Sequence, residues 1–134
     1  MNDSARVQAV ADRLRSAFAA GDPARLEVLL DARVRWGGEE DSEQTCHNRP
    51  QVLDWYRALH AAGVRARVTE AVVLDAAVVL GLELGAPGPG PRGEVPGEVW
   101  QVFRLDGDLV ADIRGFPRRE QALALADTPL PARD

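Results

Sequence analysis

The sequence predicts an α+β domain, in which three N-terminal helices are followed by a mainly antiparallel sheet. Apolar residues recur at helical spacing in the first half of the chain, and β-branched residues form strand-like runs in the second half. Helices gathered at one end and a meander of strands at the other are typical of the α+β class. The 134 residues suffice for one domain with a buried core.

The first two predicted helices meet at a Gly-Asp-Pro joint. Apolar residues from Val7 to Phe18 form one helical stripe, and Gly21 suits the position that follows a helix. Asp22 is a typical N-cap and Pro23 a typical first helical residue, so a second helix is predicted to begin at once. Its buried side is expected to hold Leu26, Leu29 and Leu30.

A short strand and a third helix are predicted next. The run ARVRW, which ends at Trp36, alternates like a strand and is closed by a Gly-Gly pair. A polar loop is expected at residues 39–47. Asn48 followed by Gln51 is a capping-box arrangement, which predicts a helix that Gly63 ends.

Four strands and a short closing helix are predicted in the remainder of the chain. Residues 64–84 indicate two strands that turn near Asp75-Ala76, and residues 98–116 indicate a hairpin around Asp106-Gly107. The Gly/Pro-rich stretch 86–97 between them is predicted to be a loop. We therefore expect a single domain over residues 1–126 and a flexible tail over residues 127–134.

Composition narrows the classes of partner. The net charge of -5 disfavours nucleic acid and anionic membranes as partners. No apolar run approaches the roughly 18 residues that a membrane span needs, and the first residues lack the pattern of a secretory signal. The single Cys allows no internal disulfide. We expect a cytoplasmic protein.

Three segments resemble the NTF2-like superfamily, in its SnoaL-like and ketosteroid-isomerase-like branch. They are AFAAGDPARLEVLLDARVRW, NRPQVLDWYRAL and WQVFRLDGDLVADIRGFPRREQALA, within a resemblance that extends from Val7 to Ala126. The resemblance implies a cone, in which a curved sheet and the helices enclose a deep apolar cavity for a small molecule. It also implies a homodimer through the sheet, and both faces of the Val99–Leu105 strand are apolar enough to be covered.

The residues argue against a ketosteroid-isomerase mechanism. The resemblance places the carboxylate base of that reaction at Trp36 and its acid partner at Gln101. An indole cannot abstract the proton, and an amide does not supply one. An epoxide-hydrolase-like site requires an Arg between two acids, whereas Gly115 stands beside Arg114 where an acid is expected.

A SnoaL-like cyclase needs an acid or base that faces an apolar substrate. The candidate catalytic residues are Asp112, Arg114 and His47. Asp112 and Arg114 lie two residues apart on a strand and share a face, so they form either a polar spot in the cavity or an ion pair at the sheet rim.

Aromatic residues supply the candidate cavity wall, although aromatic side chains also serve core and dimer packing. The residues expected to bind a ligand are Trp36, Trp55, Tyr56, Trp100, Gln101 and Phe116. The single Cys46 is interpreted as buried packing. The few His and Cys residues show no metal-ligand spacing, so neither a metal nor a cofactor is predicted.

Two functions remain open from the sequence. The first is a SnoaL-like small-molecule-binding protein that acts as a cyclase, isomerase or dehydratase on an apolar metabolite. The second is a non-catalytic dimeric module that binds a ligand or a partner.

Overall fold

The computed structural model describes residues 3–37, 45–85 and 98–128. Its elements, in chain order, are α1 (Asp3–Ala20), α2 (Pro23–Glu27), β1 (Leu30–Gly37), α3 (Arg49–Ala61), β2 (Arg65–Val73), β3 (Ala77–Gly85), β4 (Glu98–Asp106), β5 (Leu109–Phe116) and α4 (Arg119–Ala126). The predicted class and element order are confirmed. Most of the predicted polar loop, all of loop 86–97 and residues 129–134 of the predicted tail lie outside the described residues.

The local signals for helix ends are present where the sequence predicts them. Gly21 follows α1 with a φ of 63°. The Asp22 side chain accepts a backbone N–H of α2 over 3.0 Å. At α3, the Asn48 side chain accepts the Gln51 N–H over 3.0 Å, and Gln51 Oε1 accepts the His47 N–H over 2.8 Å. Each bond satisfies a backbone donor near a helix start, which fixes the joint and the entry to α3.

The five strands form one mixed sheet in the order β1-β5-β4-β3-β2. The β2-β3, β3-β4 and β4-β5 pairs are antiparallel, and β1 pairs with β5 in parallel. The expected mainly antiparallel sheet is therefore confirmed. One local expectation was wrong: Leu29 and Leu30 lie beyond α2, which ends at Glu27. Leu30 belongs to β1, because the strand pairing already begins at Leu30 and Val110.

Apolar side chains cover both faces of the sheet and form two separate cores. We call the face that packs against α1, α2 and α3 the inner face; its largest fully buried side chains include Phe103, Leu80 and Ile113. We call the face beneath α4 the outer face. There, the second core consists of Ala77, Val79, Trp100, Val102, Phe116, Ala122 and Ala126.

Within the described parts of the chain, no helix combines the length and the apolar character needed to cross a bilayer.

Candidate functional site

A cavity of about 90 Å³ lies between the inner face and the three N-terminal helices. Its lining is largely apolar and includes Phe18, Leu26, Trp55, Tyr56, Leu82 and Val99. Gln101 is a buried polar member of this lining. The exposed lining residues Asp22, His60 and Arg65 mark the mouth of the cavity.

Aromatic contacts fix the position of Tyr56 in the cavity wall. Its ring meets Phe18 at a centroid distance of 6.0 Å and Trp55 at 5.4 Å, with interplanar angles of 71° and 84°. Both are edge-to-face arrangements, which aromatic pairs favour. Trp36 in turn lies against Trp55 at 4.0 Å. The hydroxyl of Tyr56 is therefore held in one place by packing.

The Tyr56 hydroxyl connects α3 to β4. It donates a hydrogen bond to Gln101 Oε1 over 3.4 Å. Burial raises the pKa of Tyr56 well above its ordinary value, and this outweighs the lowering by Trp36 and Gln101. The indole N–H of Trp36 approaches the hydroxyl but does not reach hydrogen-bond geometry, so Trp36 Nε1 is buried without a partner. Tyr56 therefore acts at neutral pH as a protonated donor.

Gln101 has one half of its amide left for a ligand. The residue is 6% exposed, and its oxygen accepts the Tyr56 hydroxyl. Its Nε2 group makes no hydrogen bond within the described part of the chain. Because Gln101 lines the cavity, this N–H group can donate a hydrogen bond to an acceptor atom of a ligand.

The structure brings together three of the six predicted lining residues. Trp55, Tyr56 and Gln101 line the cavity, and their contact with a ligand stays a prediction. Trp36 lies behind Trp55 in the same core and does not form part of the wall.

Trp100 and Phe116 do not line the cavity, which corrects the sequence-based expectation. Both lie in the core of the outer face. Side chains alternate between faces along a strand, so Trp100 must point away from its neighbour Gln101. Trp100 is paired with Phe116 across the β4-β5 ladder, which places Phe116 on the outer face as well.

Asp112 and Arg114 also belong to the outer face, so the expectation of a polar spot inside the cavity is corrected. Asp112 is directly paired with Arg104 across β4 and β5. Its carboxylate accepts hydrogen bonds from Arg104 Nη2 at 2.9 Å, from Arg114 Nε at 3.4 Å and from Arg35 Nη1 at 3.5 Å. At 4% exposure for Asp112, this is a buried charge cluster rather than an ion pair at the rim.

His47 and Cys46 lie apart from the cavity. His47 is exposed before the N-terminal end of α3, whereas the cavity is lined by the C-terminal half of that helix. Cys46 is buried and bonds to Trp36 through both backbone groups, at 2.9 and 2.7 Å. Burial also raises the pKa of the Cys46 thiol, as expected of a packing residue.

Sequence reasoning missed several lining residues: Phe18, Leu26, Leu82, Val99 and His60. A signal existed for Val99, because it shares a strand face with Gln101. His60 follows Tyr56 by four residues on α3 and so lies on the same helix face. No sequence signal indicated that Leu82 faces the cavity, because its strand is buried almost throughout.

Comparisons with known proteins show similarity in structure only. No protein-family model matches the chain, and no curated protein matches it. A candidate ketosteroid isomerase from Kribbella flavida has a TM-score of 0.71 at 17% identity, with 100% of this chain and 89% of that chain covered. An NTF2-like protein of unknown function from Mesorhizobium loti has a TM-score of 0.68 at 14% identity, with 87% and 93% covered.

A third similar structure was solved with a small molecule. It is a hypothetical protein with a ketosteroid isomerase-like fold from Catenulispora acidiphila, in complex with trimethylamine. Its TM-score is 0.61 at 18% identity, with 90% of this chain and 93% of that chain covered. Together these structures show that the chain shares the fold of NTF2-like and ketosteroid isomerase-like proteins. A fold of this kind does not define an activity.

Proposed function

We propose that this chain is a SnoaL-like small-molecule-binding protein, whose ligand is an apolar molecule with one hydrogen-bond acceptor oxygen. The observation that carries the proposal is the buried Tyr56–Gln101 pair in the wall of an apolar cavity. Apolar walls supply affinity, and a few placed polar groups supply orientation.

The polar groups inside the cavity, Tyr56 and Gln101, carry no charge, whereas Asp22 and Arg65 lie at its mouth. The protonated Tyr56 hydroxyl donates its one proton to Gln101 Oε1, so the donor left for a ligand is the Gln101 Nε2 group. An amide N–H group matches a carbonyl or ether oxygen, and the ring faces beside it match an apolar body. A volume of about 90 Å³ suits a ligand of few heavy atoms, or one that extends through the mouth.

This donor set favours binding over catalysis. Among the described lining residues, the ionisable side chains are Asp22, Tyr56, His60 and Arg65. Asp22 caps α2, and Tyr56 is held in its protonated form. The predicted catalytic residues Asp112, Arg114 and His47 lie elsewhere. Of the two functions left open by the sequence, we therefore favour the non-catalytic one.

A matched ligand pair tests the acceptor oxygen. Acetophenone and ethylbenzene have similar shapes, but only acetophenone carries a carbonyl group. We expect acetophenone to bind about ten-fold more tightly by calorimetry, the ratio that one added hydrogen bond gives. Gln101→Leu should reduce its affinity to that of ethylbenzene. Gln121→Leu, on α4 beyond the outer face, is the matched control and should change neither affinity.

A methylated cation is the competing ligand. The trimethylamine in the Catenulispora structure and the aromatic wall of Phe18, Trp55 and Tyr56 justify tetramethylammonium as a third probe, because ring faces attract such cations. Tetramethylammonium binding without acetophenone binding would overturn the acceptor-oxygen proposal. No binding of any of the three probes would overturn the proposed function itself.

A further inference from the structure

The mouth of the cavity carries a positively charged side chain, that of Arg65, the first residue of β2. Its Nη1 group donates hydrogen bonds to the backbone oxygens of His60 and Val64, at 3.1 and 3.0 Å. These two carbonyl groups lie at the C-terminal end of α3 and just after it, and both residues line the cavity. The guanidinium is therefore held at the rim of the cavity, although the residue is exposed.

The residue opposite Arg65 in the sheet cannot neutralise its charge. It is Gly85, which has no side chain, and a Cβ at that position would meet nothing within 4 Å. Arg67, by contrast, lies opposite Glu83 and forms an ion pair with it over 3.1 Å. Within the described residues, the Nε and Nη2 groups of Arg65 make no hydrogen bond or ion pair. A planar guanidinium with such N–H groups matches the two oxygens of a carboxylate.

Asp22, also at the mouth, limits the charge that a ligand can bring there. One of its carboxylate oxygens accepts the Ala24 N–H over 3.0 Å and so caps α2. Arg65 can balance a single negative charge, whereas a dianion such as a phosphate monoester would also be repelled by Asp22. A carboxylate therefore suits this mouth better than a phosphate.

The sheet register sets the length of a ligand that reaches both Gln101 and the mouth. Gln101 is paired with Leu80 on β3, and Arg65 is paired with Gly85, five residues further along the same strand. Five residues of a strand span roughly 16 Å, at about 3.3 Å per residue. The cavity-lining residue Leu82 lies between the two positions. A ligand that joins them needs an apolar chain of several carbon atoms.

We propose that Arg65 is the anion-binding subsite of this cavity and that the ligand is an amphipathic carboxylate. The apolar body and acceptor oxygen of the ligand lie beside Gln101, and its carboxylate accepts hydrogen bonds from Arg65 at the mouth. This inference rests on the proposed function, because it extends the same ligand through the mouth and adds a charged end to it.

The acid 5-benzoylpentanoate and its methyl ester test the subsite. Both carry the aryl ketone, but only the acid carries a negative charge. By calorimetry at low ionic strength, we expect the wild type to bind the acid about five-fold more tightly, the ratio that an exposed ion pair gives. Arg65→Gln should remove this preference and leave the affinity for the ester unchanged. Arg67→Gln, on the same strand but outside the cavity lining, is the matched control and should keep the preference.

A conservative variant and added salt separate the charge of Arg65 from its structural role at the end of α3. Arg65→Lys keeps the charge but loses the planar fork, so it should retain part of the preference for the acid. Sodium chloride at about 0.5 M should weaken binding of the acid and not of the ester, because it screens exposed charges.

Three results would overturn the inference. Equal affinities of the wild type for acid and ester would do so and leave the proposed function intact, because both ligands still carry the ketone. A preference for the acid that persists in Arg65→Gln would place the carboxylate elsewhere. Equal weakening of both ligands in Arg65→Gln would assign Arg65 to the support of α3 alone. If acid, ester and acetophenone all fail to bind, the proposed function fails and this inference fails with it.

Discussion

The Tyr56 hydroxyl donates a hydrogen bond to Gln101 Oε1 over 3.4 Å, which joins helix α3 to strand β4 inside an apolar cavity. Neither residue supplies the carboxylate base that a ketosteroid isomerase requires. Together they form a neutral hydrogen-bonding group beside aromatic walls, which can orient and bind a small molecule.

Titration of Tyr56 tests its burial directly, because it is the only Tyr in the chain. Burial raises its pKa, so the folded protein retains the phenolic proton at pH values where the unfolded chain, with an ordinary pKa of about 10, loses it. The resulting stability is fully present below about pH 10 and is lost as pH rises further. Phenolate absorbance should therefore appear at higher pH in the native protein than in the urea-unfolded protein. Coincident titrations would show that the hydroxyl is accessible to solvent.

Alanine substitutions at Gly81 and Gly85, both on β3, test how tightly the outer core is packed. A Cβ at Gly81 would lie 2.6 Å from Cζ3 of Trp100, whereas a Cβ at Gly85 meets nothing within 4 Å. Gly81→Ala should therefore lower the free energy of unfolding by about 1–3 kcal/mol through overpacking of the outer core. Gly85→Ala should have little effect. Equal values for the two variants in urea unfolding would contradict the packing of the Trp100 side chain, from β4, against Gly81 of β3.

Alanine substitutions at Gly21 and Gly107 test whether His60 lies at the mouth of the cavity. Both have positive φ, 63° and 64°, so an Ala at either position should cost about 1–2 kcal/mol. At Gly21 the new Cβ would also lie 3.3 Å from Nε2 of His60, while at Gly107 it meets nothing within 4 Å. We expect similar losses of stability, but a change in ligand affinity for Gly21→Ala alone. Unchanged affinity in Gly21→Ala would place His60 away from the path of the ligand.

Asp112→Asn should affect folding rather than the cavity. It removes the charge that Arg104, itself 4% exposed, needs as a partner. Loss of one partner of a buried pair costs about 3 kcal/mol in the free energy of unfolding. Asp106→Asn, on the exposed end of β4, is the control and should be neutral. If the variant instead lost turnover or ligand affinity at unchanged stability, Asp112 would have a role in the functional site.

The sequence alone determined the order of elements and the points at which they begin and end. Gly21 and Asp22 specify the α1-α2 joint, Asn48 starts α3, and the Asp106-Gly107 turn closes the β4-β5 hairpin with Gly107 at a φ of 64°. These signals depend on local backbone geometry and capping, so they can be read without the rest of the chain.

Only the tertiary structure decided which residues face the cavity. Both faces of β4 are apolar, so alternation separates Gln101 from Trp100 but does not indicate which of them points inward. The inward direction of Gln101 is set by segments distant in sequence. The helices α1, α2 and α3 pack on the face of Gln101, and α4 packs on the face of Trp100. In the same way, cross-strand register places Asp112 beside Arg104 and away from the cavity. Side-chain direction in a doubly covered sheet is set by these long-range contacts, which local sequence patterns do not encode.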